Sequence, residues 1–247
     1  MKILPTLLNE LPGITAGFST REGGVSTGPF ASLNLSLSAG DDPEAVAANR
    51  LRFFGSFGIG PDQIAVPGQV HGDLVRTVEQ PGHYPDHDGL VTVQPRLALC
   101  IISADCAAVL LADAEGRVIG ACHSGWRGTA AGIASKTIAT MERAGADPRR
   151  IHAFVSPSIG PERFEVGPEV AEQFEDRYVE RPDSGGRPHV DLKAAIQDQL
   201  TACGVPVGQI EVSPYCTAER TDLFYSYRAE GGVTGRMMGF VWMKEDQ

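Results

Sequence analysis

Residues 97–128 read LALCIISADCAAVLLADAEGRVIGACHSGWRG. Leu97 to Ser103 is a continuous apolar run of strand length, Ala107 to Leu111 is a second, and Val118 to Cys122 is a third. Asp113-Ala114-Glu115-Gly116-Arg117 between the last two has the composition of a hairpin turn. Directly after, Thr129 to Arg143 reads as a helix that gathers Ile133, Ala134, Thr137, Ile138 and Met141 on one face, with Gly145 as its stop.

A register follows from the turn. If it centres on Glu115-Gly116, Ala114 faces Arg117 and His123 faces Ala108. Cys106, two residues before Ala108, then shares a face with His123 as its diagonal neighbour, roughly 7–8 Å away between backbones. A one-residue slip would put the two side chains on opposite faces.

Outward from this block, Asp42 to Phe57 reads as a helix: Asp42 caps it, Pro43 occupies the first turn, and Val46, Leu51 and Phe54 recur at helical spacing. Short strands are expected at Ile64–Val66, Leu74–Val78 and Gly89–Val93, and a strand-turn-strand within FSTREGGVSTGPFASLNLS, residues 18–36. Asp191 caps a second long helix whose stripe is Leu192, Ala195, Ile196 and Leu200. The stretch 181–189, RPDSGGRPH, is expected to be a surface loop, and Arg236 to Met243 a strand. Strands outnumber helices and no βαβ rhythm appears, so the expected class is α+β with mixed β-sheets and flanking helices, in one domain over residues 1–247.

The chain of 247 residues is 42% hydrophobic and 21% charged, ordinary for a globular protein. A formal net charge of -10 argues against nucleic acid or an anionic membrane as partner. Five cysteines, an odd number with no C-x-x-C pair, fit a reducing compartment better than a disulfide framework. The N-terminal MKILPTLLNELPG is too interrupted for a signal peptide, and no apolar stretch is long enough for a membrane span. The expectation is a cytoplasmic monomer.

Cys106 closes an apolar strand and His123 lies between a strand and a helix, the kind of junction where small-molecule chemistry is placed. A catalytic zinc site takes three protein ligands and an open fourth position, and His71, in Gln69-Val70-His71-Gly72, is the best third candidate. His83 and His87 sit in a Pro/Gly-rich loop and are weaker ones. The plainer readings are that Cys106 is a small core hydrophobe and the histidines are polar turn residues. Arg21, Arg127 and Arg236 are candidates to hold an anion: Arg127 precedes a helix whose free N–H groups favour one. A capping segment with solvated arginines is the alternative.

At these residues the chain resembles the YfiH-like family, whose members carry the names polyphenol oxidase (laccase-domain), purine nucleoside phosphorylase and peptidoglycan editing factor. The matching segments are FSTREGGVSTGPFASLNLS, GDDPEAVAANR, GQVHGDLV, DGLVT, ISADCAAVLLAD, GACHSGWRGTAAGI, SIGPERFEVG and YSYRAEGGVTGRMMGFVWM, in the family's order and spacing over almost the whole chain. The resemblance implies a zinc site on His71, Cys106 and His123, and a fold shared with cytotoxic-necrotising-factor-type cysteine hydrolases. It also implies phosphorolysis of adenosine, inosine and methylthioadenosine, and deamination of adenosine. A purine nucleoside and phosphate would then be the partners. Two departures stand out. Pro161-Glu162-Arg163-Phe164-Glu165-Val166-Gly167 replaces the frequent P-C-C-Y-E-V-G, and Ala107-Ala108 follows the A-D-C motif where proline is common.

Other functions compete. Copper on the same His2Cys set would make a laccase-like polyphenol oxidase, although a multicopper centre needs more imidazoles than six histidines readily provide. With Cys106 as nucleophile and His123 as base, the chain would be an amide hydrolase editing a peptidoglycan precursor. A metal-stabilised binding module is the non-enzymatic option. Asp105 and Asp73 are candidates to shuttle protons.

Overall fold

The computed structural model describes residues 2–115, 117–182 and 185–245. The strands in chain order are β1 (Lys2–Ile3), β2 (Ile14–Ser19), β3 (Ile64–Pro67), β4 (Val75–Thr77), β5 (Gly82–Tyr84), β6 (Gly89–Thr92), β7 (Ala98–Ser103), β8 (Ala107–Asp113), β9 (Val118–Ser124), β10 (His152–Val155), β11 (Val179–Glu180), β12 (His189–Val190), β13 (Ile210–Val212) and β14 (Met237–Met243). The helices are α1 (Thr6–Asn9), α2 (Pro43–Gly55), α3 (Trp126–Ala130), α4 (Ile133–Arg143), α5 (Pro168–Ala171) and α6 (Leu192–Ala202). Two six-stranded sheets form, in the orders β1-β2-β14-β7-β3-β5 and β13-β10-β8-β9-β6-β4, each mixing parallel and antiparallel pairs. This is the expected α+β class.

Alternation along the strands stacks the layers. Leu99, Ile101 and Val241 of the first sheet pack against Ala108, Leu110, Ala112, Ile119 and Ala121 of the second. The opposite face of the first sheet, Cys100, Met238 and Phe240, is covered by Phe53 and Phe54 of α2. The opposite face of the second sheet, Val109, Leu111, Val118 and Cys122, is covered by Ile133, Ile138 and Met141 of α4 and by Ile196 and Leu200 of α6. The order of layers is therefore helix, sheet, sheet, helices. Gly239 lets the two sheets close: a Cβ there would sit 3.1 Å from Phe18 and 3.2 Å from Ala108.

The register expected of the central hairpin is found, with Ala108 opposite His123 and Asp113 opposite Val118. Of its expected central residues, Gly116 lies outside the described residues. Asp42 and Asp191 cap α2 and α6 by accepting the backbone N–H of Glu44 and Ala194.

Three expectations need correction. Leu51 is exposed; the buried face of α2 is Val46, Asn49, Phe53 and Phe54, because five residues from Val46 rotate a side chain well off its stripe. The helix expected from Thr129 is broken into α3 and α4 at Gly132, which adopts φ 76°. After β2 no return strand forms within residues 20–36. Backbone groups of that segment are satisfied instead by side chains, Asn49 accepting the N–H of Val25 and donating to the carbonyls of Ser32 and Asn34. The described residues of the stretch 181–189 form the expected surface loop, up to His189, which opens β12 opposite Glu180 of β11; Asp183 and Ser184 within it lie outside the described residues. No helix among the described residues is long and apolar enough to cross a membrane.

Leu110, fully buried between the sheets, tests this layering. Leu110→Ala is expected to cost about 2–5 kcal/mol, read as a lowered denaturation midpoint at unchanged slope. A shift within error would mean the sheets do not share a packed core there.

Candidate metal centre and its cavity

His71 and Cys106, from two connections, and His123, near the end of β9, meet at one end of the sheet stack. Their ligand atoms all lie within 4.8 Å of one another. His123 is on the inner face of β9, and strand pairing continues one residue beyond it, to Ser124. Cys106 precedes β8 in a tight turn in which Asp105 takes φ 84°. That costly conformation is held from outside: the Asp105 carboxylate accepts the Thr217 hydroxyl at 2.6 Å and the Arg228 N–H at 2.7 Å, and its carbonyl accepts the Ile159 N–H at 2.8 Å.

His71 lies in the connection from β3 to β4, where Gln69 and His71 adopt φ 56° and 61°. Gln69 anchors this connection to the edge of β7, donating from Nε2 to the Ile102 carbonyl at 2.7 Å and accepting the Ile102 N–H at 2.8 Å. Asp88 does the rest. Its fully buried carboxylate accepts the backbone N–H groups of Val70 (3.0 Å), His71 (3.0 Å) and Gly72 (2.8 Å). Its Oδ1 also lies 2.8 Å from Nδ1 of His123. One side chain thus shapes the loop that carries the first imidazole and orients the second, leaving Nε2 of His123 for the other donors.

Space between the donors depends on Gly125. A Cβ at that position would lie 2.9 Å from Sγ of Cys106 and 3.2 Å from Cδ2 of His71. The His71 and His123 rings stand edge to face, with centroids 4.9 Å apart. Burial pushes the Cys106 thiol up, but the imidazoles of His123 and His71 outweigh it and bring the thiol well below its ordinary value. Burial pulls His123 down, and the Cys106 sulfur and Asp88 carboxylate outweigh that and raise it. For Asp88, burial raises and the His123 hydrogen bond and backbone N–H groups lower more, so the carboxyl falls. The donor set is thus a thiolate and two imidazoles backed by a carboxylate, which suits a borderline-soft divalent ion such as zinc.

The three donors line a cavity of about 1200 Å³. It runs over the β3–β7 end of the first sheet toward α2, with Arg50, His83, Phe164, Tyr227, Arg228 and Arg236 among its walls. Of the arginines singled out in the sequence, Arg236 alone faces this cavity. Arg127 is exposed in the short helix α3 and stacks on Trp126, 4.2 Å from the ring. Arg21 is saturated: it binds Glu230 at 2.9 Å, the carbonyls of Ala31 and Thr221, and the face of Tyr225. Asp73 pairs with Lys136 outside the cavity, and both Asp105 oxygens are taken, so neither is a free proton carrier. His87, His152 and His189 each turn Nδ1 to a backbone carbonyl and stand apart from the donors. Sequence reasoning missed Asp88 and Arg50. An aspartate directly before the buried strand β6 was the available sign of the first, since a buried carboxylate needs donors.

Residues 15–244 match the family described as multi-copper polyphenol oxidoreductase laccase. The chain belongs to this YfiH-like family. It is 43% identical over 243 residues to a purine nucleoside phosphorylase of Deinococcus radiodurans, covering 96% of this chain and 92% of that one. Its fold is similar to YlmD from Geobacillus stearothermophilus (TM-score 0.91, 33% identity, 98% and 94% of the two chains). It is equally similar to the hypothetical protein YfiH of Bacillus licheniformis (TM-score 0.90, 33% identity, 94% and 93%). The family description names several coppers; the described residues of this YfiH-like chain bring one His–Cys–His group together. They do not fit a multinuclear copper centre, which needs a larger set of imidazoles.

In metal-free protein, alkylation of Cys106 by iodoacetamide should rise with pH through a midpoint below the ordinary thiol value of about 8.5. Cys122, pushed up to about 12 by burial, should stay unmodified. Asp88→Asn removes the charge that supports the His123 imidazolium, and so should move the midpoint up. A midpoint at or above the ordinary value in the unsubstituted protein would contradict the thiolate assignment.

Proposed function

We propose that this chain is a zinc-dependent purine nucleoside phosphorylase that accepts adenosine, inosine and methylthioadenosine and also deaminates adenosine. The observation that carries the reading is the His71–Cys106–His123 group on the floor of a cavity large enough for a nucleoside beside phosphate. The purine nucleoside phosphorylase names of its relatives support the substrate class. We take residues 1–247 as one domain, acting as a cytoplasmic monomer.

His71, Cys106 and His123 would hold the ion, and Asp88 would keep His123 in the tautomer that presents Nε2. Bound there, zinc supplies a Lewis acid at the cavity floor. The rings of Tyr227 and Phe164 offer flat surfaces for a purine, and Arg236 offers positive charge for phosphate. The cavity walls limit water around the reacting atoms.

A second reading rests on one specific observation. Cys106, His123 and Asp88 form a nucleophile, base and orienting carboxylate in sequence of contact, the arrangement of a cysteine hydrolase. On that reading the chain cleaves an amide, such as one in a peptidoglycan precursor, without metal. Copper on the same three residues, giving a polyphenol oxidase, has the same donors but no added support from the remaining histidines.

Zinc-loaded protein incubated with adenosine should release adenine only when phosphate is present, and inosine with or without it, as followed by chromatography and mass. Cys106→Ala should lose both products and most bound zinc. Full activity after metal removal would move the assignment to the cysteine hydrolase; a visible copper–thiolate absorbance with phenol oxidation would move it to the oxidase.

A further inference from the structure

Three arginines face the cavity with no carboxylate on the guanidinium among the described residues: Arg228, whose Nη1 donates to the Glu165 carbonyl at 2.9 Å, Arg236 and Arg50. Arg236 donates from Nη1 to the carbonyls of Thr234 (2.6 Å) and Gly235 (2.9 Å). Arg50, on α2, donates from Nε to the Leu35 carbonyl at 2.8 Å. No ion pair of either is found among the described residues, whereas Arg21 and Arg150 each bind a carboxylate at 2.9 Å. The backbone joins Arg50 and Arg236. Leu35 accepts from Arg50 through its carbonyl and donates its N–H to the Arg236 carbonyl at 3.1 Å. Asn34 accepts the Arg236 N–H at 2.9 Å, and Ser36 and Ser38 line the same wall of the cavity.

Burial lowers both guanidinium groups from their ordinary value, for Arg50 with only the Cys100 thiol acting against it. The Asp105 carboxylate that acts on Arg236 is itself engaged with Thr217 and Arg228. Half-buried cations held by neutral carbonyls leave positive charge in a cavity wall that no carboxylate pairs with directly among the described residues, with Asp105, Cys106 and Glu230 acting on Arg236 only from a distance. Arginine's planar fork matches a tetrahedral oxyanion, and two forks on one strip of backbone make a clamp rather than a point charge.

We infer that Arg50 and Arg236 together form an oxyanion subsite for a phosphoryl group, on the α2 side of the cavity. The inference deepens the phosphorylase reading and rests on it for the identity of the reaction. It assigns to Arg50 a binding role and places the anion beside the Leu35–Ser38 strip. The phosphoryl group has two possible sources, free inorganic phosphate or the 5′-phosphate of a nucleotide.

Isothermal titration of the zinc-loaded protein with inorganic phosphate, and separately with adenosine 5′-monophosphate, tests this. Arg50→Gln should weaken phosphate binding at least ten-fold at unchanged zinc content and unchanged thermal midpoint. Arg50→Lys, which keeps the charge but not the fork, should recover it only in part. Arg149→Gln, a surface control, should bind as the parent does. In turnover, Arg50→Gln should raise KM for phosphate ten-fold or more, while Arg149→Gln should leave it unchanged. Adenosine 5′-monophosphate binding at least ten-fold tighter than adenosine, with the gain lost in Arg50→Gln, assigns the subsite to the ester; monophosphate binding no tighter than adenosine, with phosphate binding sensitive to Arg50, assigns it to free phosphate. Undetectable phosphate binding by the parent, or equal binding by parent and Arg50→Gln, overturns the subsite while leaving nucleoside turnover standing. Arg50-dependent phosphate binding without turnover of any nucleoside keeps the subsite and overturns the phosphorylase assignment. If Arg50→Gln does not fold, Arg236→Gln and Arg50→Lys carry the same comparison.

Discussion

The carboxylate of Asp88 holds the candidate site together. A fully buried carboxylate is costly unless its lone pairs are met, and here three successive backbone N–H groups and an imidazole meet them. Each such group left unpaired costs about 1–3 kcal/mol, so the loop 69–72 and the ring of His123 are bound to one another through a single side chain. The left-handed conformations of Gln69 and His71 belong to this arrangement, because they turn consecutive N–H groups toward one acceptor. Gln69 completes it by pairing with Ile102 on β7, inside the first sheet. The ligand loop is consequently tied to both sheets at once.

The sheet stack explains why the site forms at this end of the molecule. Cys106 and His123 continue the inward faces of β8 and β9 beyond the last apolar residues, Ala108 and Ala121. The core between the sheets is apolar to that depth and becomes polar where the strands end. Small residues shape the transition: Gly125 leaves room between the donors and Gly239 lets the sheets approach near Ala108. A thiolate there is stabilised by two imidazoles despite its burial, whereas Cys100 and Cys122, pointing into apolar layers, are held as neutral thiols. Depth alone does not set the chemistry of a cysteine; the partners facing it do.

Arginine placement shows the same contrast. Arg21 is locked by Glu230, which also accepts from Ser226 and Thr234 and so folds the segment that carries Tyr227 and Arg228. Arg50 and Arg236 rest on carbonyls and keep their charge for the cavity. The metal donors and the positive wall thus line one cavity, a layout suited to a substrate with a polarisable base and an anion.

Local sequence determined the strands β3, β4, β6 to β9 and β14, the hairpin register that places Cys106 beside His123, and the caps of α2 and α6. Each depends on a period of 2 or 3.6 or on contacts within a few residues. Local patterning failed where a helix is amphipathic over a narrow stripe, as at Leu51, or where one glycine breaks an otherwise continuous period, as at Gly132. His71 emerged from residue type and flanking glycines. Its approach to the other two donors, the role of Asp88 across 35 residues from His123, and the facing of Arg50 into the cavity were decided by tertiary structure alone. Those relations join loops that are far apart in sequence, and burial and backbone hydrogen bonding, which no local pattern encodes, select which polar side chain meets which partner.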